Sequence, residues 1–279
     1  MRTAKESFVR SAAVTAPPVD RGMNPRHRVR RIIEPGEAPK LDPFLMLAED
    51  WFMPGTFGDH PHRGFETVTL VLEGGVEHRD DRGGHGVLEP GDAQWMTAGR
   101  GVVHSEEAAP EGAHTLQLWL NLPSGLKMTE PSYQDLRGEQ MPERREEGAR
   151  IRVFAGEAWG VRGPARTLHP VTMLEIWLEP EASIGLGLPG DDTAFLYVIE
   201  GSGRFGAEGA MAGAGERVVF ERGPQGASSS VIAFADGPLH AVFWSGSPIR
   251  EPIAAGGPFV MNTREELLQA FADYSQRRF

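Results

Sequence analysis

Short apolar runs separated by turn-forming residues recur along almost the whole chain. Each run has four to eight apolar, β-branched or aromatic residues and is bounded by Gly, Pro, Asp or Asn, as in TVTLVLEG, TLQLWLNLP, VTMLEIWLEP, AFLYVIEG and LHAVFWSG. Runs of this length and composition are typical of strands in β-sandwiches and β-barrels. The pattern therefore predicts an all-β protein.

Helical periodicity is concentrated at the C-terminal end. Thr263 and Glu266 have the spacing of a capping box, in which each side chain bonds the backbone amide of the other. The apolar positions that follow form one stripe, made of Leu267, Leu268, Phe271 and Tyr274. The sequence predicts a helix from about 264 to 277 that packs against the core.

Two stretches of the chain resemble each other. TVTLVLEGGVEHRD (67 to 80) and AFLYVIEGSGRFG (194 to 206) each read as a strand, Glu-Gly, a tight turn and a second strand. A Gly-rich turn follows each, in LEPGDAQWM and AGAGERVVF, and the polar stretch EQMPERREEGAR (139 to 150) lies between them as a candidate linker. We expect an N-terminal extension over 1–27, a first barrel over 28–145, and a second barrel with the helix over 146–279.

Composition narrows the classes of function. The formal charge of −11 argues against a surface that neutralises phosphates, so the arginines around VRRII (29 to 33) are expected to be solvated on an early strand rather than to bind nucleic acid. There are no cysteines, and no apolar run approaches the ~20 residues of a membrane span. The N-terminus has no continuous apolar core of a signal peptide. We expect a cytoplasmic monomer. We expect its N-terminal extension to be disordered or to form a surface arm, and we assign no role to it.

Seven of the nine histidines lie before residue 115. His60 and His62 are two residues apart, so on a strand both face the same side. His104 and Glu106 have the same spacing 42 residues later than His62. Two neighbouring strands that each point such a pair inward would place four nitrogen and oxygen ligands around one ion.

This donor set indicates an open metal site. Three imidazoles and a carboxylate suit Fe(II), Mn(II), Ni(II), Cu(II) or Zn(II), and leave positions for exchangeable ligands. Glu66 has the same parity as His60 and His62, and parity does not choose between Glu66 and Glu106. His78 and His85 lie in the polar segment EHRDDRGGHG, where we expect them to face solvent, and His114 has no evident partner. We therefore expect His104→Ala to abolish metal binding and His78→Ala to leave it intact.

These motifs resemble the cupin superfamily and, within it, the pirin family. The resemblance rests on DHPHRGFETVTLVLEGG (59 to 75), PGDAQWMTAGRGVVHSE (90 to 106), LQLWLNLP, REPIAAGGPFVMNT and the final helix. It implies two stacked cupin barrels, with one mononuclear metal site in the first. The metal that it implies is Fe(II), and Mn, Ni, Cu, Co or Zn are the alternatives. The ligands it implies are His60, His62, His104 and Glu106, which leaves Glu66 outside the ligand set. The second half has neither an HxH nor an HxE motif, consistent with a barrel without metal.

The resemblance also implies an activity. Pirin-like proteins are associated with quercetin 2,3-dioxygenase activity, the opening of a flavonol ring by O₂ with release of carbon monoxide. Glu106 would then be the base that takes the proton of the 3-hydroxyl. The expected walls for a flat aromatic substrate are Phe57, Trp95, Met96 and Trp119.

The alternative is a non-catalytic, redox-sensitive iron-binding module with a protein partner, acting as a transcriptional co-regulator or as a modulator of a metabolic enzyme. A storage-type or sugar-isomerase cupin is weaker, because it does not explain the pirin-specific segments.

Overall fold

The computed structural model describes residues 7–22 and 24–279, and these are predominantly β-strand. The first strands are β1 (Ser7–Val9), β2 (Ala12–Thr15), β3 (Val19–Arg21), β4 (His27–Ile33), β5 (Phe44–Phe52), β6 (Phe57–His62), β7 (Phe65–Asp80), β8 (His85–Leu88), β9 (Ala93–Thr97), β10 (Val102–Asn121), β11 (Ser132–Leu136) and β12 (Glu143–Glu146). They are followed by β13 (Ala149–Ala155), β14 (Glu157–Ala158), β15 (Val161–Arg162), β16 (Val171–Leu178), β17 (Ser183–Pro189), β18 (Thr193–Glu200), β19 (Ser202–Phe205), β20 (Ala210–Gly213), β21 (Arg217–Phe220), β22 (Ser228–Ala235), β23 (Leu239–Gly246), β24 (Ala254–Gly256) and β25 (Phe259–Met261). The helices are α1 (Ala38–Leu41) and α2 (Arg264–Ser275), with 3₁₀ turns at Pro35–Glu37, Ser124–Leu126 and Gly138–Gln140. The all-β class is confirmed.

The chain forms two compact units, and each takes a segment from the opposite end of the sequence. The N-terminal unit contains Pro18–Gln140 and Ile249–Phe279, and the C-terminal unit contains Met141–Pro248 with the described residues up to Pro17. β1 pairs in parallel with β22, and β2 pairs antiparallel with β21, which fixes the first strands in the C-terminal unit. α2 packs against β24 and β25, which fixes the helix in the N-terminal unit.

This grouping differs from the expected ranges at both ends. We expected an extension over 1–27 and assigned the helix to the second domain. Instead, β1 and β2 are integral strands, although residues 1–6 and residue 23 lie outside the described residues. The boundary between Gln140 and Met141 falls within the expected linker, but most of that stretch forms a hairpin of β12 with β13.

The duplication is visible in the strand order. The N-terminal unit has neighbours in the order β9-β7-β10-β5-β4, and the C-terminal unit repeats it as β21-β18-β23-β16-β13. The long strand β10 also pairs with β6, just as β22, which precedes β23, pairs with β17. β10 therefore occupies the places of both β22 and β23, and β6 corresponds to β17.

The tight turn expected at Gly74-Gly75 is absent, and β7 runs through this position as a single strand of 16 residues. Gly74 has φ of +72°, and a Cβ there would lie 2.0 Å from the carbonyl oxygen of Gly112 on β10. Only glycine permits this approach. The register of the two strands shifts between Ala108 and Ala113 at the same level. The strand bends and continues, so His78 lies on a strand and not in a turn.

Four side chains of the N-terminal unit form one cluster, made of Arg30, Glu49, Trp51 and His114. The rings of Trp51 and His114 stack with centroids 4.7 Å apart and planes 19° apart. Glu49 accepts a bond from Arg30 at 2.7 Å and lies 2.9 Å from His114 Nε2. Arg30 also lies over the Trp51 ring, which adds a cation–π contact. His114, which the sequence left without a partner, is thus held by two residues.

The C-terminal unit contains the same cluster at corresponding strand positions. Trp177 and His240 stack with centroids 4.9 Å apart and planes 11° apart. Glu175 pairs with Arg152 at 3.2 Å and with His240 at 2.8 Å, and Arg152 lies over Trp177. The register is also the same, because Arg152 lies opposite Glu175 as Arg30 lies opposite Glu49. The two barrels therefore share an Arg-Glu-Trp-His framework.

The C-terminal helix begins as predicted. Thr263 Oγ1 accepts from the Glu266 amide at 3.1 Å, and Glu266 accepts from the Thr263 amide at 3.0 Å. The apolar stripe, however, is not buried against the core over its whole length, because Leu268, Phe271 and Tyr274 are 59%, 43% and 40% exposed. No helix among residues 7–22 and 24–279 has the length and apolar character needed to cross a membrane.

Candidate metal centre

Three histidines converge on one face of β6 and β10. His60 and His62 are two residues apart on β6 and share one face, and His104 lies directly opposite His60 across the antiparallel pair. Side chains opposite each other in such a pair project to the same face. One nitrogen from each of the three imidazoles lies within 4.8 Å of the others.

The nitrogens of this cluster are suited to a cation. Nε2 of His104 is buried with no hydrogen-bond partner among the described residues, and the ring nitrogens of His62 are buried with the Pro258 backbone as their one neighbouring acceptor. His60 Nδ1 lies 2.8 Å from the Gly58 carbonyl, to which it must donate, so its Nε2 keeps a lone pair in the neutral ring. Buried polar atoms without partners are costly, and a divalent ion would bind the lone pair of one nitrogen in each ring. The histidine cluster therefore fits a metal.

Burial also sets the protonation of the cluster. It lowers the pKa of His62 well below the ordinary value, and the neighbouring His60 lowers that pKa further. Burial likewise lowers the pKa of His104, with added repulsion from His62 and His60. Both rings are neutral at pH 7, so a metal does not compete with protons for their lone pairs.

Glu106 lies beside the cluster and is held by amide and hydroxyl donors. It is two residues beyond His104 on β10 and 7% exposed. Gln117 Nε2 donates to its two oxygens at 2.9 and 3.1 Å, and Thr69 Oγ1 donates at 3.3 Å. Glu106 is not among the side chains whose donor atoms lie within 4.8 Å of one another. Its role as a fourth ligand stays a prediction.

His78 is part of this site, and the expectation that it faces solvent is wrong. It is 2% exposed, and its Nε2 lies 2.8 Å from His104 Nδ1. It lies opposite Glu106 in the register of β7 with β10, and its ring packs against Tyr133 at 4.6 Å. When His104 keeps a lone pair on Nε2, its proton is on Nδ1 and is donated to His78. Only the cross-strand register reveals this contact, which local sequence does not encode.

The remaining histidine of that segment, His85, behaves as expected. Its side chain is 55% exposed, and its Nε2 lies 2.7 Å from Glu77. It takes no part in the cluster.

Of the four expected wall residues, Trp119 reaches the histidines. Its ring centroid is 5.2 Å from that of His62. Phe57 is half-buried and packs on Phe52 at 4.8 Å. Trp95 and Met96 are 0% and 1% exposed on β9 and belong to the core.

Glu66 is separate from the cluster. It is fully buried, and Thr97 Oγ1 donates to it at 2.6 Å. Burial raises its pKa to about 7, against the opposing effect of the Thr97 bond. The folded state therefore binds this proton more tightly than the unfolded chain does between pH 4.5 and 7. The stability that it contributes is present below pH 4.5 and is lost as pH rises through 7.

Glu66→Gln keeps the shape and the Thr97 bond but cannot ionise. We expect it to raise the free energy of unfolding at pH 8 by about 1–2 kcal/mol and to change it little at pH 5. Urea unfolding at both pH values measures the difference. Glu73→Gln, at an exposed position of the same strand, is the control. An equal change at both pH values would contradict the assignment.

The counterpart strands of the C-terminal unit carry no such donors. β17 reads SIGLGLP and β22 reads SSSVIAFA, so the pair that corresponds to β6 and β10 has no His, Asp or Glu side chain.

Comparison with known proteins agrees with this architecture. A family model described as Pirin matches residues 26–120, and one described as Pirin C-terminal cupin domain matches residues 173–279. The chain is 44% identical over 248 residues to a pirin-like protein of Solanum lycopersicum, covering 88% of this chain and 84% of that protein.

Two solved structures are similar over most of the chain. The crystal structure of GK1651 from Geobacillus kaustophilus has 46% identity and a TM-score of 0.86, covering 88% of this chain and all of that one. A structure named quercetin 2,3-dioxygenase from Acinetobacter baumannii has 32% identity and a TM-score of 0.86, covering 98% of both chains. These matches confirm the two-cupin fold. The chain belongs to the pirin family.

Proposed function

We propose that this protein is a mononuclear metal-dependent dioxygenase that opens a flavonol-type ring, as a quercetin 2,3-dioxygenase does. The observation that carries the proposal is the set of three convergent imidazoles, of which His62 and His104 are buried. The Acinetobacter baumannii relative named for this activity, at 32% identity, supports it. The proposal keeps the expectation of a cytoplasmic monomer.

The residues that would hold the metal are His60, His62, His104 and Glu106. Imidazole and carboxylate donors accept Fe(II), which we favour, and also Mn(II), Co(II), Ni(II), Cu(II) and Zn(II). When bound, the metal supplies Lewis-acid and redox chemistry toward the substrate oxygen and O₂.

Glu106 is the proposed base for the substrate 3-hydroxyl. Gln117 holds both of its oxygens through one amide and so fixes the plane of the carboxylate. Gln117 and Thr69 fill three of the four lone-pair positions of the carboxylate, so the proton would take the fourth position, in exchange with the metal. His60 is half-buried, whereas His62 and His104 are buried. Substrate would therefore approach from the side of His60.

The test is to load metal-free protein anaerobically with each of these metals, add quercetin, and follow O₂ uptake together with carbon monoxide release. We expect turnover with at least one metal. Glu106→Gln should lower it about 100-fold or more, because the amide cannot accept the proton. Glu107→Gln, at the next position on the opposite face of β10, is the matched control.

Stoichiometric metal binding without turnover with any metal would reject the dioxygenase proposal. It would favour the alternative, a metal-dependent regulatory module with a protein partner, because that role needs the same ligands but no chemistry.

A further inference from the structure

The N-terminal unit contains a cavity of about 370 Å³. Its walls come from β4, β5, β10 and the segment around β24, and none of His60, His62, His104 and Glu106 lines it. The size is within the range of small-molecule sites.

Most of the cavity wall is apolar. Ala38, Leu45 and Val260 are 4%, 4% and 2% exposed and form one packed cluster, with Trp119 and Ile253 packed against it. Trp119 is only half-buried and presents aromatic surface to the cavity. Such a wall favours a flat apolar ring system, since burying apolar surface is favourable and aromatic pairs add specific contacts.

One charged group lines the cavity beside this apolar wall. Arg31 is exposed on β4, and in the described part of the chain its guanidinium has no hydrogen bond or ion pair. Its neighbour Arg30 is bound to Glu49. A free guanidinium presents a fork of donors that matches a carboxylate.

We propose that this cavity binds a small flat aromatic carboxylate, with the rings against Leu45 and Trp119 and the carboxylate on Arg31. Two features of the cavity select this class, the apolar wall and the unpaired cation beside it. None of the proposed metal ligands lines the site, but the site shares Trp119 with the expected wall for the dioxygenase substrate, so its test measures binding and not turnover.

Trp119 connects this site to the metal centre. Its Nε1 donates to Gln117 Oε1 at 3.3 Å, and the Gln117 amide donates to Glu106. Its ring also contacts His62. A ligand that moves Trp119 therefore changes the contacts of two proposed metal ligands, so the acid and the metal affect each other's affinity reciprocally.

The test uses 2-naphthoate as the probe, with titration calorimetry on the full chain. We expect a Kd below about 1 mM. Arg31→Gln and the neutral analogue 2-naphthamide should each weaken binding by about fivefold. Ala255→Trp, which adds bulk at an exposed lining position, should abolish it. Arg28→Gln, another exposed arginine of β4 outside the cavity, should leave it unchanged.

Absence of binding at several times that concentration would overturn the proposal. So would equal binding by the Arg31→Gln variant or of the amide, because the carboxylate would then not be recognised. Thermal unfolding of each variant shows that it is folded. The coupling predicts that saturating 2-naphthoate changes Co(II) affinity about threefold, and an unchanged Co(II) affinity would overturn the coupling.

Discussion

His104→Ala is expected to abolish stoichiometric binding of a divalent metal. The substitution removes one of three imidazoles whose nitrogens lie within 4.8 Å of one another. The ring is already neutral at pH 7, because burial lowers its pKa, so the loss is of a ligand and not of a charge. Affinity should fall by more than the ~100-fold that changes around a ligand produce. Chelator competition measures the affinity, and Co(II) absorption reports the coordination.

The matched control is His85→Ala. His85 lies on the neighbouring strand β8, but it is exposed and paired with Glu77. Its removal should leave metal affinity unchanged. Equal metal loss in the two variants would mean that the histidine cluster does not hold the ion.

His78→Leu is expected to lower metal affinity about 10- to 100-fold without removing a ligand. The His104 ring is oriented by the 2.8 Å contact between its Nδ1 and His78 Nε2. Leucine cannot accept that bond, so the His104 tautomer with a free Nε2 loses its partner. The expectation from sequence alone, that a change at His78 leaves metal binding intact, is reversed by this contact.

Rescue distinguishes orientation from packing. His78→Gln retains an acceptor for the His104 proton and should recover most of the affinity and the Co(II) spectrum. Tyr133→Phe keeps the ring that packs on His78 and should be neutral. If the Leu and Gln variants bind Co(II) equally weakly, His78 acts through packing and the orienting role is wrong.

Strand alternation accounts for what the sequence predicts correctly. His60 and His62 share a face because of a local period of two, and the structure brings His104 into the same cluster, as its motif predicts. The parts that were missed depend on register between distant strands. Gly74 and the shift between Ala108 and Ala113 decide that β7 continues to Asp80, and no local pattern contains both.

The compact units differ from the expected domain ranges for a related reason. β1 and β2 join the C-terminal unit through backbone bonds to β22 and β21, some 200 residues away. Backbone pairing is nearly independent of side-chain identity, so an early segment gives no sign of its distant partner. The position of the helix was predicted correctly because its capping box is local. The packing of its apolar stripe was not predicted correctly, because packing depends on distant parts of the chain.

The Arg-Glu-Trp-His framework occurs in both barrels, but the histidine cluster occurs on β6 and β10 with no counterpart side chains on β17 and β22. The C-terminal copy of the framework can therefore serve as a control for substitutions in the N-terminal copy, which lies in the unit with the histidine cluster. A substitution in the framework can be made twice, once in each copy, and the C-terminal copy reports its cost in stability alone. The difference between the two copies isolates what the same substitution does to the ion, a comparison that a single-barrel protein does not offer.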